Sequence, residues 1–149
     1  MYVRISKILL VCAAGLFASL VAFNNITDYN ANYMFVQHVL SMDTTFDGNE
    51  LMWRSLTTPW IHHAGYIGII VCETLIAILC WTGAIKLWQS RTLESKSFNQ
   101  AKGIASLGLV LGILLWFGGF MVIGGEWFLM WQSPTWNGQQ TSSQFVNAL

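Results

Sequence analysis

One carboxyl and three imidazoles are the groups in this sequence best placed to do chemistry in an apolar setting. Glu73 sits near the middle of an otherwise uncharged stretch, residues 61–85. An ionisable side chain at such depth in a bilayer is costly and is by default a functional candidate. Helical spacing puts His62, Tyr66, Glu73, Ala77, Cys80 and Ala84 on one stripe. A titratable line of this kind, with Tyr66 as its second intramembrane candidate, would suit proton transfer. The plainer reading is a neutral Glu73 hydrogen-bonded to a neighbouring helix, and a third is contact with a quinone, a lipid or a partner chain. His38, His62 and His63 are the three histidines. Met34, His38 and Met42 recur every four residues, so one helical face would offer two thioethers and an imidazole, a soft set suited to copper or haem iron. Adjacent His62 and His63 diverge by about 100° on a helix, which argues against a shared metal. With no specific ligand signature, hydrogen-bonded interface histidines and no cofactor are the expectation, with haem or copper as the alternative.

Two further patterns are weaker. Asp43, Thr45, Asp47 and Gly48 match the first half of a calcium loop, but Arg54 occupies the place of the bidentate glutamate, which defeats the match. An outer-face ion pair of Arg54 with Glu126 or a loop acid is expected instead. Cys12, Cys72 and Cys80 are dispersed in apolar runs and read as small packing residues. The chain carries no phosphate-binding glycine loop, nucleophile elbow or metalloprotease helix, and no inverted repeat of the transporter type. A self-contained enzyme active site is therefore not expected, and nucleic acid is not among the expected partners.

The elements that must position these groups are membrane helices. Residues 103–124 form a charge-free run of 22 residues, long enough as a helix to cross a bilayer core. Only 9% of the 149 residues are charged and 54% are hydrophobic, against about a quarter charged in soluble domains. The pattern predicts an all-α, polytopic transmembrane bundle in a single membrane domain, with spanning helices over 5–25, 61–86 and 102–126. An outer loop, 26–60, contains a short interfacial helix near 33–42. A loop over 87–101 joins the second and third spans, and an outer tail, 127–144, is polar from 132 onward. The basic, apolar N-terminus resembles a signal peptide, but the weak cleavage pattern near Ala22 and the later spans predict an uncleaved first helix.

Charge orients the chain. Arg4, Lys7, Lys86, Arg91, Lys96 and Lys102 flank the first helix or lie around the 87–101 loop. The other long loop holds Arg54 with Asp28, Asp43, Asp47 and Glu50. The positive-inside rule then places the N-terminus and the 87–101 loop in the cytoplasm. Trp53, Trp60, Trp127, Trp131 and Trp136 would mark the outer interface, Trp81 and Trp88 the inner one. Small residues at four-residue intervals, Ala14, Ala18 and Ala22 in the first helix and Gly108 and Gly112 in the third, predict close helix packing. The packing is expected within the bundle, or else against another subunit.

Five strings extend the reading: Ala22-Phe-Asn-Asn25, Phe35-Val-Gln-His-Val-Leu-Ser-Met-Asp43, Met52-Trp-Arg54, Gly124-Gly-Glu-Trp-Phe-Leu-Met-Trp-Gln-Ser133 and Trp136-Asn-Gly-Gln139. Through them nearly the whole chain resembles a bacterial family of predicted small integral membrane proteins, a domain of unknown function. The resemblance implies an inner-membrane protein of proteobacterial type and brings no established activity or cofactor. It also implies a fourth apolar helix after the last string, whose start would be Phe145, Val146, Ala148 and Leu149. The natural protein is accordingly expected to be longer than 149 residues, or this end to dock on a neighbour. The functional expectation is a non-catalytic accessory or stabilising subunit of a larger bacterial inner-membrane complex, with lipid and other integral membrane subunits as partners. The alternative is a redox or proton-handling membrane protein.

Overall fold

The computed structural model describes residues 1–148, and among them there is no strand. In chain order the helices are α1 (Tyr2–Thr27), α2 (Tyr29–Ser41), α3 (Pro59–Gln89), α4 (Ser95–Ile113), a π-helical segment (Leu114–Trp127) and α5 (Gln139–Ala148). Single 3-10 turns stand at Met52–Arg54 and Met130–Gln132. Three stretches are long and apolar enough to span a membrane: Tyr2–Thr27, Pro59–Gln89 and Ser95–Trp127. The fold is all-α, as the composition requires.

The helices outrun the apolar runs that predict them. Once a helix is nucleated each added residue gains a hydrogen bond, and Lys96, Asn99, Gln100 and Lys102 are compatible with a helix. The third span therefore starts at Ser95, and the loop expected over 87–101 shrinks to 90–94. Pro59 suits the first position of α3, where its missing N–H costs nothing. The Thr58 carbonyl accepts from the Ile61 and His62 amides. The third span changes register in mid-course, where i→i+4 bonding yields to i→i+5, as in the 3.0 Å bond from the Phe128 amide to the Ile123 carbonyl. At 14 residues this segment exceeds the single-turn π-bulges usual in helices. Four glycines (118, 119, 124 and 125) leave it without Cβ crowding.

The chain divides into two compact units. The first comprises Met1–Phe23 and Val71–Gly112, and its packing depends on missing side chains. A Cβ on Gly83 would lie 2.6 Å from the Ala105 backbone, and one on Gly108 would lie 2.9 Å from the Cys80 sulfur. A Cβ on Gly15 would lie 3.2 Å from Cys80 Cβ. Close approach of this kind drives helix association where burial from water cannot. Ala18 and Ala22 are buried, Ala14 is half-buried, and Gly108 and Gly112 are buried. Gly108 thus packs within this chain, the first of the two readings of that repeat. The indole N–H of Trp81 donates to Ser19 Oγ, which in turn donates to the Gly15 carbonyl. Arg4 donates to the Arg91 and Leu93 carbonyls and stands 4.8 Å from the centre of the Phe98 ring, clamping the 90–94 loop onto α1.

The second unit comprises Asn24–Ile70 and the chain from Ile113 onward. Its core is Val39, Met42, Phe128, Leu129 and Met130, surrounded by Phe35, Leu40, Leu51, Leu56 and Trp136. Met42 (φ 55°) and Leu129 (φ 54°) both adopt the left-handed region, a conformation that burial must enforce on non-glycine residues. The long loop is tied down by Thr44 donating to Ser133 Oγ, by the Phe46 amide donating to Gln132 Oε1, and by the Leu56 amide donating to the Leu40 carbonyl.

One expectation about the tail changes. The segment 132–144 is not loop throughout, since α5 begins at Gln139, and α5 packs on the π-helical segment of the same chain. Leu149 and the side chains of Phe145 and Ala148, which should carry the apolar turn toward a further span, lie outside the described residues.

Candidate functional site

The stripe on α3 is buried along its whole length: His62 is 3% exposed, Tyr66 1%, Glu73 1% and Cys80 0%, with Ala77 and Ala84 also buried. The residues that helical periodicity groups together thus share burial. At its upper end the two adjacent histidines part, as their angular separation requires. His62 Nε2 donates to the Leu56 carbonyl at 2.6 Å. Because the Leu56 amide donates to the Leu40 carbonyl at 2.8 Å, His62 fastens the chain before α3 to the end of α2.

His63 enters a different cluster. Its Nδ1 lies 2.8 Å from the Tyr29 hydroxyl, and its ring stacks on Tyr33 at 4.2 Å between centroids. Tyr66 meets Tyr29 edge to face at 4.6 Å and donates its hydroxyl proton to the Asn25 carbonyl. Asn32 donates to Asn25 Oδ1. Burial, followed by the neighbouring Tyr33 phenol, raises the Tyr29 pKa above its ordinary value. Tyr29 is therefore a neutral hydrogen-bonding phenol at physiological pH. Sequence reasoning missed Tyr29, Tyr33 and Asn25. Tyr29 and Tyr33 share one face of α2 at an i, i+4 spacing, but nothing local points to His63, 34 residues away.

The soft-ligand face does not form. The helix ends at Ser41, and Met42, beyond it in a left-handed turn, points into the core at 1% exposure while Met34 is exposed. His38 Nδ1 instead meets the Asp43 carboxylate at 2.8 Å, and its ring stacks on Trp136 at 4.6 Å. Asp43 is thereby engaged by an imidazole. Among the described residues, no group of three or more His, Cys, Asp or Glu side chains comes together.

The expected Arg54–Glu126 ion pair is likewise replaced. Arg54 donates to the Trp127 carbonyl at 3.3 Å, and its guanidinium lies 4.6 Å from the Trp127 ring centre and 5.3 Å from that of Trp53. Aromatic faces hold the cation here, and Glu126 is exposed.

The second unit also contains a cavity of about 300 Å³ bounded by α2, α3 and the π-helical segment. Phe35, Val36 and Val39 form one wall, Gly65 and Ile69 another, and Leu115, Gly119, Phe120 and Gly124 a third. Sequence reasoning missed it as well, because it arises where three separate segments fail to fill space. The glycines were its only local signal.

Apolar spans of membrane length, histidines built into local hydrogen bonds and an apolar cavity define a small polytopic α-helical membrane protein. More particularly, the chain belongs to the family described as predicted small integral membrane protein (DUF2165), whose model matches residues 3–149. Comparison with curated proteins and with solved structures gives no match.

Proposed function

We propose that this chain is a non-catalytic accessory or stabilising subunit of a larger bacterial inner-membrane complex. The observation that carries the reading is the engagement of all three histidines in structural contacts: His38 with Asp43 and Trp136, His62 with the Leu56 carbonyl, His63 with Tyr29. His38 and His62 thereby hold the long loop in place, through Asp43 and the Leu56 carbonyl. The loop's surface leaves large aromatics exposed, with Trp53 and Trp60 each at 70% and Phe46 at 59%, a composition suited to an interface with another chain. In this reading the N-terminus and the 90–94 loop are cytoplasmic and the long loop is outside, as the placement of the basic residues supports.

Purification at native expression level in a mild detergent tests the proposal, with co-purifying chains identified by mass spectrometry. A stoichiometric set of integral membrane partners is expected, and a protein that migrates alone in native gels would refute it. Orientation is tested separately by single cysteines placed at Thr44 and Ser95. A membrane-impermeant thiol reagent should label only the first in intact spheroplasts.

The Tyr29–His63 hydrogen bond favours a second reading, a redox or proton-handling protein. A phenol paired with an imidazole can exchange a proton with it. Visible spectra and metal analysis of the gently solubilised protein separate the readings: haem or stoichiometric copper lost in a His38→Ala variant would favour the second.

A further inference from the structure

The 300 Å³ cavity of the second unit is partly open to the outside and roomy enough for hydrocarbon, since an enclosed apolar cavity of roughly 150 Å³ already accepts benzene. We propose that it holds one acyl chain of a membrane glycerophospholipid. Its walls are apolar side chains and glycine, with no hydroxyl, amide, imidazole or charged group among them. A quinone head or a haem propionate would find no hydrogen-bond partner there, whereas a hydrocarbon chain needs none. Water has no partner there either. An empty space would forfeit dispersion contacts around the lining.

Position identifies the source of the hydrocarbon. Two of the three walls belong to stretches long and apolar enough to span a membrane, Pro59–Gln89 and Ser95–Trp127. The solvent beside such walls is lipid. Gly65 and Ile123, at the cavity margin, are exposed and leave a way in from that side. A partner helix, about 10–12 Å across, is too wide for the space, while a single acyl chain is not. Glycine keeps the site open. A Cβ on Gly119 would come no nearer than 3.8 Å to Leu115, and one on Gly65 no nearer than 3.5 Å to Leu40. Larger side chains at either position therefore have room to enter and fill the cavity.

The test uses the full chain in vesicles of phosphatidylethanolamine and phosphatidylglycerol, with a trace of phosphatidylethanolamine carrying a diazirine at mid-chain. After irradiation, labelled residues are mapped by mass spectrometry. Boundary lipid reaches exposed positions such as Leu107 and Ile78, but Val36 and Val39 are only 7% and 8% exposed. Label at Val36 or Val39 is expected in the wild-type protein. It should fall at least tenfold in both Gly65→Leu and Gly119→Leu, with labelling at Leu107 unchanged. Wild-type label confined to exposed positions overturns the proposal, and so does label at Val36 or Val39 that persists in the filled variants. An isoprenoid quinone in place of phospholipid in the solvent extract of the purified protein also overturns it. Should one filled variant fail to fold, the other variant and the wild-type map still decide.

Discussion

Replacing Gly83 with alanine adds one methyl group where α3 meets α4. The new Cβ would lie 2.6 Å from Ala105 Cα, 2.6 Å from its nitrogen and 2.7 Å from its Cβ. Carbon atoms in good contact stand about 3.5–4.0 Å apart, so the helices must separate by about 1 Å or bend. The obstacle is backbone, which has no rotamer in which to retreat. Overpacking of this kind costs about 1–3 kcal/mol, while alanine gains about 1 kcal/mol over glycine in helix propensity. The net expectation is a loss of about 0–2 kcal/mol, or a fall in melting temperature of up to roughly 8 °C on the scaling for a chain of this size. Gly103, within α4, provides the internal control, because a Cβ there meets nothing within 4 Å. Gly103→Ala should hold or raise stability through the propensity gain alone. Both variants are compared by thermal unfolding in one detergent, followed by helical circular dichroism. A Gly83→Ala protein as stable as Gly103→Ala would refute the claim that glycine at 83 is required for close packing.

Three further outcomes are expected. His62→Ala removes the 2.6 Å bond to the Leu56 carbonyl at a cost of about 1–3 kcal/mol. Amide exchange at Leu56 should quicken with it, and unchanged exchange would show that His62 does not hold this strap. The raised pKa of Tyr29 carries a sign: its contribution is fully present below the ordinary value of 10.0 and is lost as pH rises through the higher folded value. Stability should therefore fall above pH 10.0, less steeply in Tyr29→Phe, and equal slopes in the two proteins would contradict the sign. Glu73 is buried within α3, so Glu73→Gln should keep the protein monodisperse in size-exclusion chromatography. Glu73→Lys should lose much of the monodisperse fraction, since a lysine ammonium at a mid-helix position costs about 2.5–3.5 kcal/mol to insert; an undamaged lysine variant would show the site to be open to water.

The membrane class of this protein was legible in its residues, because membrane helices follow from composition over about 20 residues and every backbone polar group must be satisfied within its own segment. The buried stripe of α3 was legible for a related reason, since helical periodicity is a local property. Helix ends were less so: α4 begins at Ser95, through polar residues, and the polar tail forms α5 packed on the π-helical segment. The side-chain partners were set only by tertiary structure. His38 chose Asp43 and Trp136 because the helix ended before Met42 could join its face, and Arg54 chose Trp127 over Glu126. Sequence spacing lists the groups a residue can reach along its own helix. It contains no term for the side chains and empty space that other segments bring beside it, so the Tyr29–His63 cluster, the Gly83–Ala105 contact and the cavity became visible only in the assembled fold.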